Sequence, residues 1–230
     1  MGIAFFDLDQ TLLSINSGTL WVRRELRLKH IGRLQVVRAA SWMLRYHLGF
    51  ASVDTALARA IGLLAGHSER ELRSRTEQFY EEEVRHLFRP GGRRAVERHR
   101  AKGDLLVLLT ASSSYLAELA VRDLKLDAAL ANRFEVDAHG LHTGRSLGAL
   151  CFGVGKLTHA RTFADAHQVA LKDCTFYTDS FSDVPVLEAV GTPVMIAPDP
   201  MLRRLARRRG WRIEEWGGPG LASGYPKLAG

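Results

Sequence analysis

Ile3-Ala4-Phe5-Phe6-Asp7-Leu8-Asp9-Gln10-Thr11 joins an uninterrupted apolar run to two acids one residue apart. Four consecutive apolar residues suit a strand covered on both faces. Alternate residues of an extended chain share a face, so Asp7 and Asp9 point the same way wherever the strand conformation persists. Two carboxylates held that close repel, and keeping both ionised calls for a cation between them. The segment also reads as a helix start capped by Asp9 or Thr11. The rest of the chain decides between the two.

Working outward, the chain divides by pattern. From Thr19 to about Phe88 no strand pattern occurs, and the spacing predicts successive helices. Leu34, Val37, Trp42, Leu44 and Leu48 place one over 31–48, with Gly49 as its stop. A second is predicted over 53–64, closed by Gly66, and a third to about Phe88, opened by a Ser68/Glu71 capping box. Pro90-Gly91-Gly92 marks a boundary. Beyond it strands and helices alternate. Helices are predicted over 93–102, 113–124, 156–167 and 184–190, strands over 105–109, 174–178 and 193–197, and a hairpin pairs 134–136 with 141–143. Asp199 and Pro200 open a last helix. The pattern predicts an α/β fold, a doubly wound, mostly parallel, Rossmann-like sheet core with an inserted all-helical cap domain. The expected division is a core of residues 1–14 and 90–216, a cap of residues 15–89, and a flexible tail over 217–230.

The 230 residues carry a formal charge of +7 and a pI near 9.8. That favours acidic partners in general: phosphorylated metabolites, nucleic acid or an anionic membrane surface. The only cysteines, Cys151 and Cys174, have no metal-ligand spacing and are too few for a disulfide framework. Reduced, partly buried thiols in a cytoplasmic protein are expected. No secretory leader is expected before the first strand. Arg33, Arg38, Arg45 and His47 break the most hydrophobic stretch, so no spanning helix is expected there.

Ligands of open α/β sheets gather at the carboxyl ends of the strands. Asp7 and Asp9 follow the first strand, Thr110-Ala111-Ser112 the second apolar run, and Thr178-Asp179-Ser180-Phe181-Ser182-Asp183 the third. Lys156 follows Gly153-Val154-Gly155 near the start of a helix. This set suits phosphoryl transfer, which needs charge neutralisation, an in-line nucleophile and an acid for the leaving oxygen. Asp7 and Asp179 can share a Mg²⁺ ion while Asp7 attacks phosphorus to form an aspartyl phosphate. Asp9 can protonate the leaving alkoxide and later activate water. Thr110, the backbone N–H groups from Ala111 onward, and Lys156 suit the equatorial oxygens.

In this order the Asp7-to-Thr11 segment, Thr110-Ala111-Ser112, Lys156 and the Asp179-to-Asp183 segment resemble the four motifs of the haloacid dehalogenase-like superfamily. The helical insertion after the first motif is similar to the cap of its phosphoserine-phosphatase-like branch. The resemblance implies Asp7 as nucleophile, Asp9 as acid/base whose main-chain carbonyl also ligates Mg²⁺, and Asp179 as a further metal ligand. It implies that Asp183 binds or orients a water of the metal's shell, and that Lys156 pairs with nucleophile and phosphate. It further implies a Mg²⁺-dependent phosphomonoesterase for a small phosphorylated metabolite, with phosphoserine and histidinol phosphate as candidates. Thr178 departs from the glycine often found there, and Ala111-Ser112 from the two glycines typical of phosphoserine phosphatases.

The alternatives are a phosphotransferase using the same intermediate and a non-catalytic protein binding nucleic acid or acidic lipid. Arg203, Arg204, Arg207, Arg208 and Arg209 are the densest basic cluster, and their helical spacing with Leu202, Leu205 and Ala206 reads as a solvated face. Asp183 also reads as an N-cap, and Thr110 as a strand-end hydroxyl bonding locally. Trp21, Trp42, Trp211 and Trp216 read as packing residues, with membrane contact the alternative at Trp42. Arg23, Arg24, Glu25 and Arg27 are the cap's candidate substrate contacts.

Overall fold

Ile3–Phe6 forms strand β1, buried at every residue as its composition demands. The computed structural model describes residues 2–30, 32 and 53–218. After β1 the chain winds through a wide turn at Leu8–Leu12, where Gln10 takes a left-handed φ of 55°. Helices α1 (Ser17–Arg27), α2 (Val53–Gly62), α3 (Glu69–Phe79) and α4 (Pro90–Ala101) follow. Then come β2 (Leu105–Ser113), α5 (Ser114–Leu124), β3 (Ala128–Asn132), β4 (Phe134–Val136), β5 (His142–Ser146) and α6 (Val154–Ala166). The chain continues through β6 (Thr175–Thr178), α7 (Val184–Leu187), β7 (Thr192–Ile196), α8 (Pro200–Arg209) and β8 (Arg212–Glu214).

Six strands form one sheet in the order β3-β2-β1-β6-β7-β8, and every pairing is parallel. Alternation sorts the core into two layers. Ala4, Phe6, Leu106, Leu108 and Tyr177 face α4, α5 and the inserted helices. Ile3, Phe5, Val107, Leu109, Phe176 and Met195 face α6, α7 and α8. With helices on both sides the sheet is doubly wound, and because β1 lies between β2 and β6, the topological switch falls where Asp7 leaves the sheet.

Between β1 and β2 the described residues hold helices and no strand. The chain leaving for this insertion pairs with the chain returning: Leu13 bridges Phe88, Ser14 N donates to Leu87 O at 3.0 Å, and Arg89 N to Leu12 O at 2.7 Å. The insertion also docks on the β4–β5 hairpin, through Gly66 N to His142 O at 2.8 Å and Glu69 N to Gly140 O at 2.9 Å.

Several boundaries differ from the sequence expectation. α4 begins at Pro90, not Arg93, with the proline at its first position; Gly91 and Gly92 lie in its first turn rather than in a break, and a Cβ at Gly91 would collide with Trp216. The third inserted helix is regular only to Phe79 and continues as a wider turn and a short tight one to Leu87. Ser68 accepts from Glu71 N at 3.4 Å, but the Glu71 carboxylate lies 3.7 Å from Arg75, so only half of the capping box forms. β3 and β8 were not anticipated. Helix 31–48 falls, but for Gly32, outside the described residues, as do residues 219–230. At the start of the tail, Gly217 O accepts from Arg89 Nη1 at 2.6 Å.

Candidate active site

Asp7 is the first residue beyond β1, still extended, with its N–H donating to Tyr177 O of β6 at 2.9 Å. There the strand ends. Asp9 reaches the same edge through the wide turn rather than by strand alternation, and its carboxylate is held at both oxygens. Ser17 N donates to Oδ1 at 2.7 Å and Ser112 Oγ to Oδ2 at 3.0 Å. Thr11, first read as a possible cap, donates to Asp179 Oδ1 at 3.3 Å.

Lys156 is the third residue of α6 and buried, and a Cβ at the preceding Gly155 would run into the Leu150 carbonyl. This close approach sets α6 against the sheet edge. Lys156 Nζ donates to Asp7 Oδ1 at 2.9 Å and to Asp183 Oδ2 at 2.8 Å. A buried ammonium needs such partners. Asp183 Oδ2 also accepts from Thr178 Oγ1 at 2.6 Å, while Asp183 Oδ1 is buried with no partner. Asp183 makes no side-chain cap to α7. Thr110, buried at the end of the apolar part of β2, accepts from Ser112 N at 3.2 Å, and Asn132 Nδ2 fixes the adjoining peptide by donating to Ala111 O at 2.6 Å.

Burial pushes the Asp7 carboxyl up to about 8, with Asp183 and Asp179 adding to the rise and Lys156 opposing it. Burial likewise takes Asp179 to about 7, and the charge of Asp183 contributes. Asp9 is raised by burial, against the hydrogen bonds from Ser17 and Ser112. Burial disfavours the Lys156 ammonium, but Asp183 and Asp7 outweigh it and hold Lys156 above its ordinary range. The balance is an excess of carboxylates over ammonium, with an orphaned carboxylate oxygen among them. A hard divalent cation fits this all-oxygen set. Among the described residues no three His, Cys, Asp or Glu side chains group around one point. Asp9 has both side-chain oxygens engaged, so a cation here would draw on Asp7, Asp179 and main-chain or solvent oxygens.

The structure thus brings Asp7, Asp9, Thr110, Ala111, Lys156, Asp179 and Asp183 to the carboxyl end of the central strands. Sequence reading missed Ser17 and Asn132 altogether and gave Ser112 and Thr178 no bonding role. Three of the four cap candidates are occupied by other residues of the insertion: Arg24 pairs with Glu82 and Glu83, Arg27 with Glu83, and buried Glu25 with Arg75. Trp21 packs edge-on against Phe79, and Trp216 is buried. Arg204, Arg207, Arg208 and Arg209 are exposed on α8. Cys151 and Cys174 are unpaired and fully buried rather than partly, and burial pushes their thiols up to about 12 and about 11. No helix among the described residues is long and apolar enough to cross a membrane.

Fold and site together define a class: α/β enzymes whose carboxylates and lysine operate at the switch point of a parallel sheet. The sequence model of the haloacid dehalogenase-like hydrolases matches residues 4–188, and this chain belongs to that family, as a phosphatase. Phosphoserine phosphatase SerB1 of Mycobacterium tuberculosis is 34% identical over 218 residues, 93% of this chain and 70% of that protein. A histidinol-phosphatase of Neisseria meningitidis is 24% identical over 215 residues, 92% and 97% of the two chains. The crystal structure of a protein of unknown function from Bordetella pertussis superposes with a TM-score of 0.85 at 33% identity, covering 94% of this chain and 98% of that one.

Proposed function

We propose that this phosphatase hydrolyses the phosphomonoester of a small polar metabolite, phosphoserine-like or histidinol-phosphate-like, by way of an aspartyl phosphate on Asp7. The observation that carries the reading is the buried Lys156 ammonium bridging Asp7 and Asp183, beside an Asp9 carboxylate held apart by two hydrogen bonds. Asp7 attacks phosphorus, and Lys156 orients it and neutralises phosphate oxygens. The peptide N–H groups after Thr110 cradle the phosphate, with the Asn132 bond fixing the Ala111 carbonyl that follows. Asp9 gives its proton to the leaving oxygen and later takes one from the hydrolytic water. Asp7, the Asp9 main-chain carbonyl, Asp179 and Asp183 would hold Mg²⁺, which would supply the positive charge that offsets the repulsion between an anionic nucleophile and an anionic ester. The insertion over 15–89, through its helices α1, α2 and α3, acts as the cap over the core of 1–14 and 90–216, excluding water and selecting substrate. The names of the phosphoserine and histidinol-phosphate relatives support the metabolite class, and the two free thiols suit a cytoplasmic setting.

Asp7→Asn removes nucleophile and metal charge together. Turnover of an aryl phosphate with Mg²⁺ should fall on the order of a thousandfold or more with the fold intact. Wild-type-like Mg²⁺-dependent turnover in this variant would overturn the mechanism. A screen of phosphorylated metabolites, with and without Mg²⁺, names the substrate.

A further inference from the structure

We infer that Ser112 is a positioning residue for proton transfer, fixing the Asp9 carboxyl in the orientation from which it protonates the leaving group. The inference rests on the acid role proposed for Asp9. Asp9 sits in a turn with neighbouring Gln10 at φ 55°, and no regular element dictates its rotamer. What holds it is a pair of donors from different parts of the fold: Ser17 N, the first residue of α1, on Oδ1 at 2.7 Å, and Ser112 Oγ, near the end of strand β2, on Oδ2 at 3.0 Å. The two serine hydroxyls lie 3.4 Å from each other. Ser112 is fixed in turn, since its N–H donates to Thr110 Oγ1 at 3.2 Å. A carboxyl gripped at both ends keeps one plane, and a general acid works only within hydrogen-bond reach of the atom it protonates. Main-chain N–H at residue 17 survives any side-chain change there. The Ser112 hydroxyl is the removable half of the grip.

In the first step the Asp7 carboxylate forms a bond to phosphorus, the ester P–O bond breaks with its electron pair passing to the leaving oxygen, and that oxygen takes the Asp9 proton. An alkoxide leaving group needs the proton, whereas a dinitrophenolate leaves without it. The full chain is therefore assayed with Mg²⁺ on glycerol phosphate and on dinitrophenyl phosphate. The readout is kcat/KM, which ends at departure of the leaving group and is blind to the later use of Asp9 as a base.

Ser112→Ala should lower kcat/KM for the alkyl ester by about ten- to a hundredfold, a part of the 10²–10⁴ that a general acid supplies. The aryl ester should change by no more than about twofold, and Ser112→Thr should restore the alkyl reaction. Because each variant is judged by the ratio of its two substrates, partial misfolding cancels. Equal losses on both esters, or none on the alkyl ester, would overturn the role of Ser112 while Asp9→Asn still discriminates between them. If Asp9→Asn itself fails to discriminate, the acid assignment falls and takes this inference with it.

Discussion

At Thr178 a hydroxyl stands, fully buried, between the end of β6 and the carboxylates, donating to Asp183 Oδ2 at 2.6 Å and accepting from Ser180 N at 3.2 Å. A glycine there would leave Asp183 with Lys156 as its one polar partner, so the departure from the family pattern has a structural consequence. Thr178→Val keeps the volume and removes the donor. The cost should be roughly 1.5–3 kcal/mol, the range for a hydrogen bond to a charged group in a buried setting. Denaturant melts with EDTA present check it, because added Mg²⁺ would mask the loss. Unchanged stability would mean that Asp183 needs no help beyond Lys156. Activity should fall as well, since Asp183 and Asp7 share the same ammonium and a shift of one moves the other.

Helix α6 shows how an element carries a site. Its first turn holds Gly155 against the Leu150 carbonyl, and the next residue is the buried lysine. Gly155→Ala forces α6 outward. It should destabilise by roughly 1–3 kcal/mol, as overpacking does, and lower kcat by displacing Lys156 from Asp7. Melts and aryl phosphate turnover measure both, and an alanine variant with normal kcat would show that α6 does not set the lysine's position. The elements that position the site were readable for a physical reason. β1, β2, β6 and β7 are covered on both sides and appear as apolar runs. β3, Ala128-Ala129-Leu130-Ala131-Asn132, and β8, Arg212-Ile213-Glu214, are the sheet's two edges, partly exposed; the first is an alanine-rich run of low strand propensity and the second a single apolar residue between charges. Hence Asp7, Thr110 and Asp179, each just beyond a legible apolar run, are found by position. Asn132 was missed with the strand that carries it. Ser17 was missed because its approach to Asp9 depends on the left-handed turn at Gln10, which residue spacing does not encode.

Across the whole molecule, the buried carboxylates of the site set the sign of its pH dependence. The carboxyls of Asp7 and Asp179 titrate near 8 and 7 in the folded chain, against about 4 when unfolded. Below pH of about 4 both states are protonated, and the stabilisation that comes from tighter proton binding by the folded state is fully present. As pH rises from there through 7 and 8, the unfolded chain ionises freely while the folded chain must hold protons or bury charge, and that stabilisation is lost. The metal-free protein should therefore lose thermal stability steadily between pH 5 and 8. The proposed Mg²⁺ would bind the ionised carboxylates and so stabilise only the folded state, and the rise in Tm on adding it should be small at pH 5 and large at pH 8. Thermal melts in EDTA and in saturating Mg²⁺ across this range provide the check. A Mg²⁺ increment equal at both ends would place the cation away from Asp7 and Asp179. Loss of the increment in Asp179→Asn, with the increment of Ser112→Ala kept, would tie it to the metal carboxylates rather than to the proton-transfer machinery beside them.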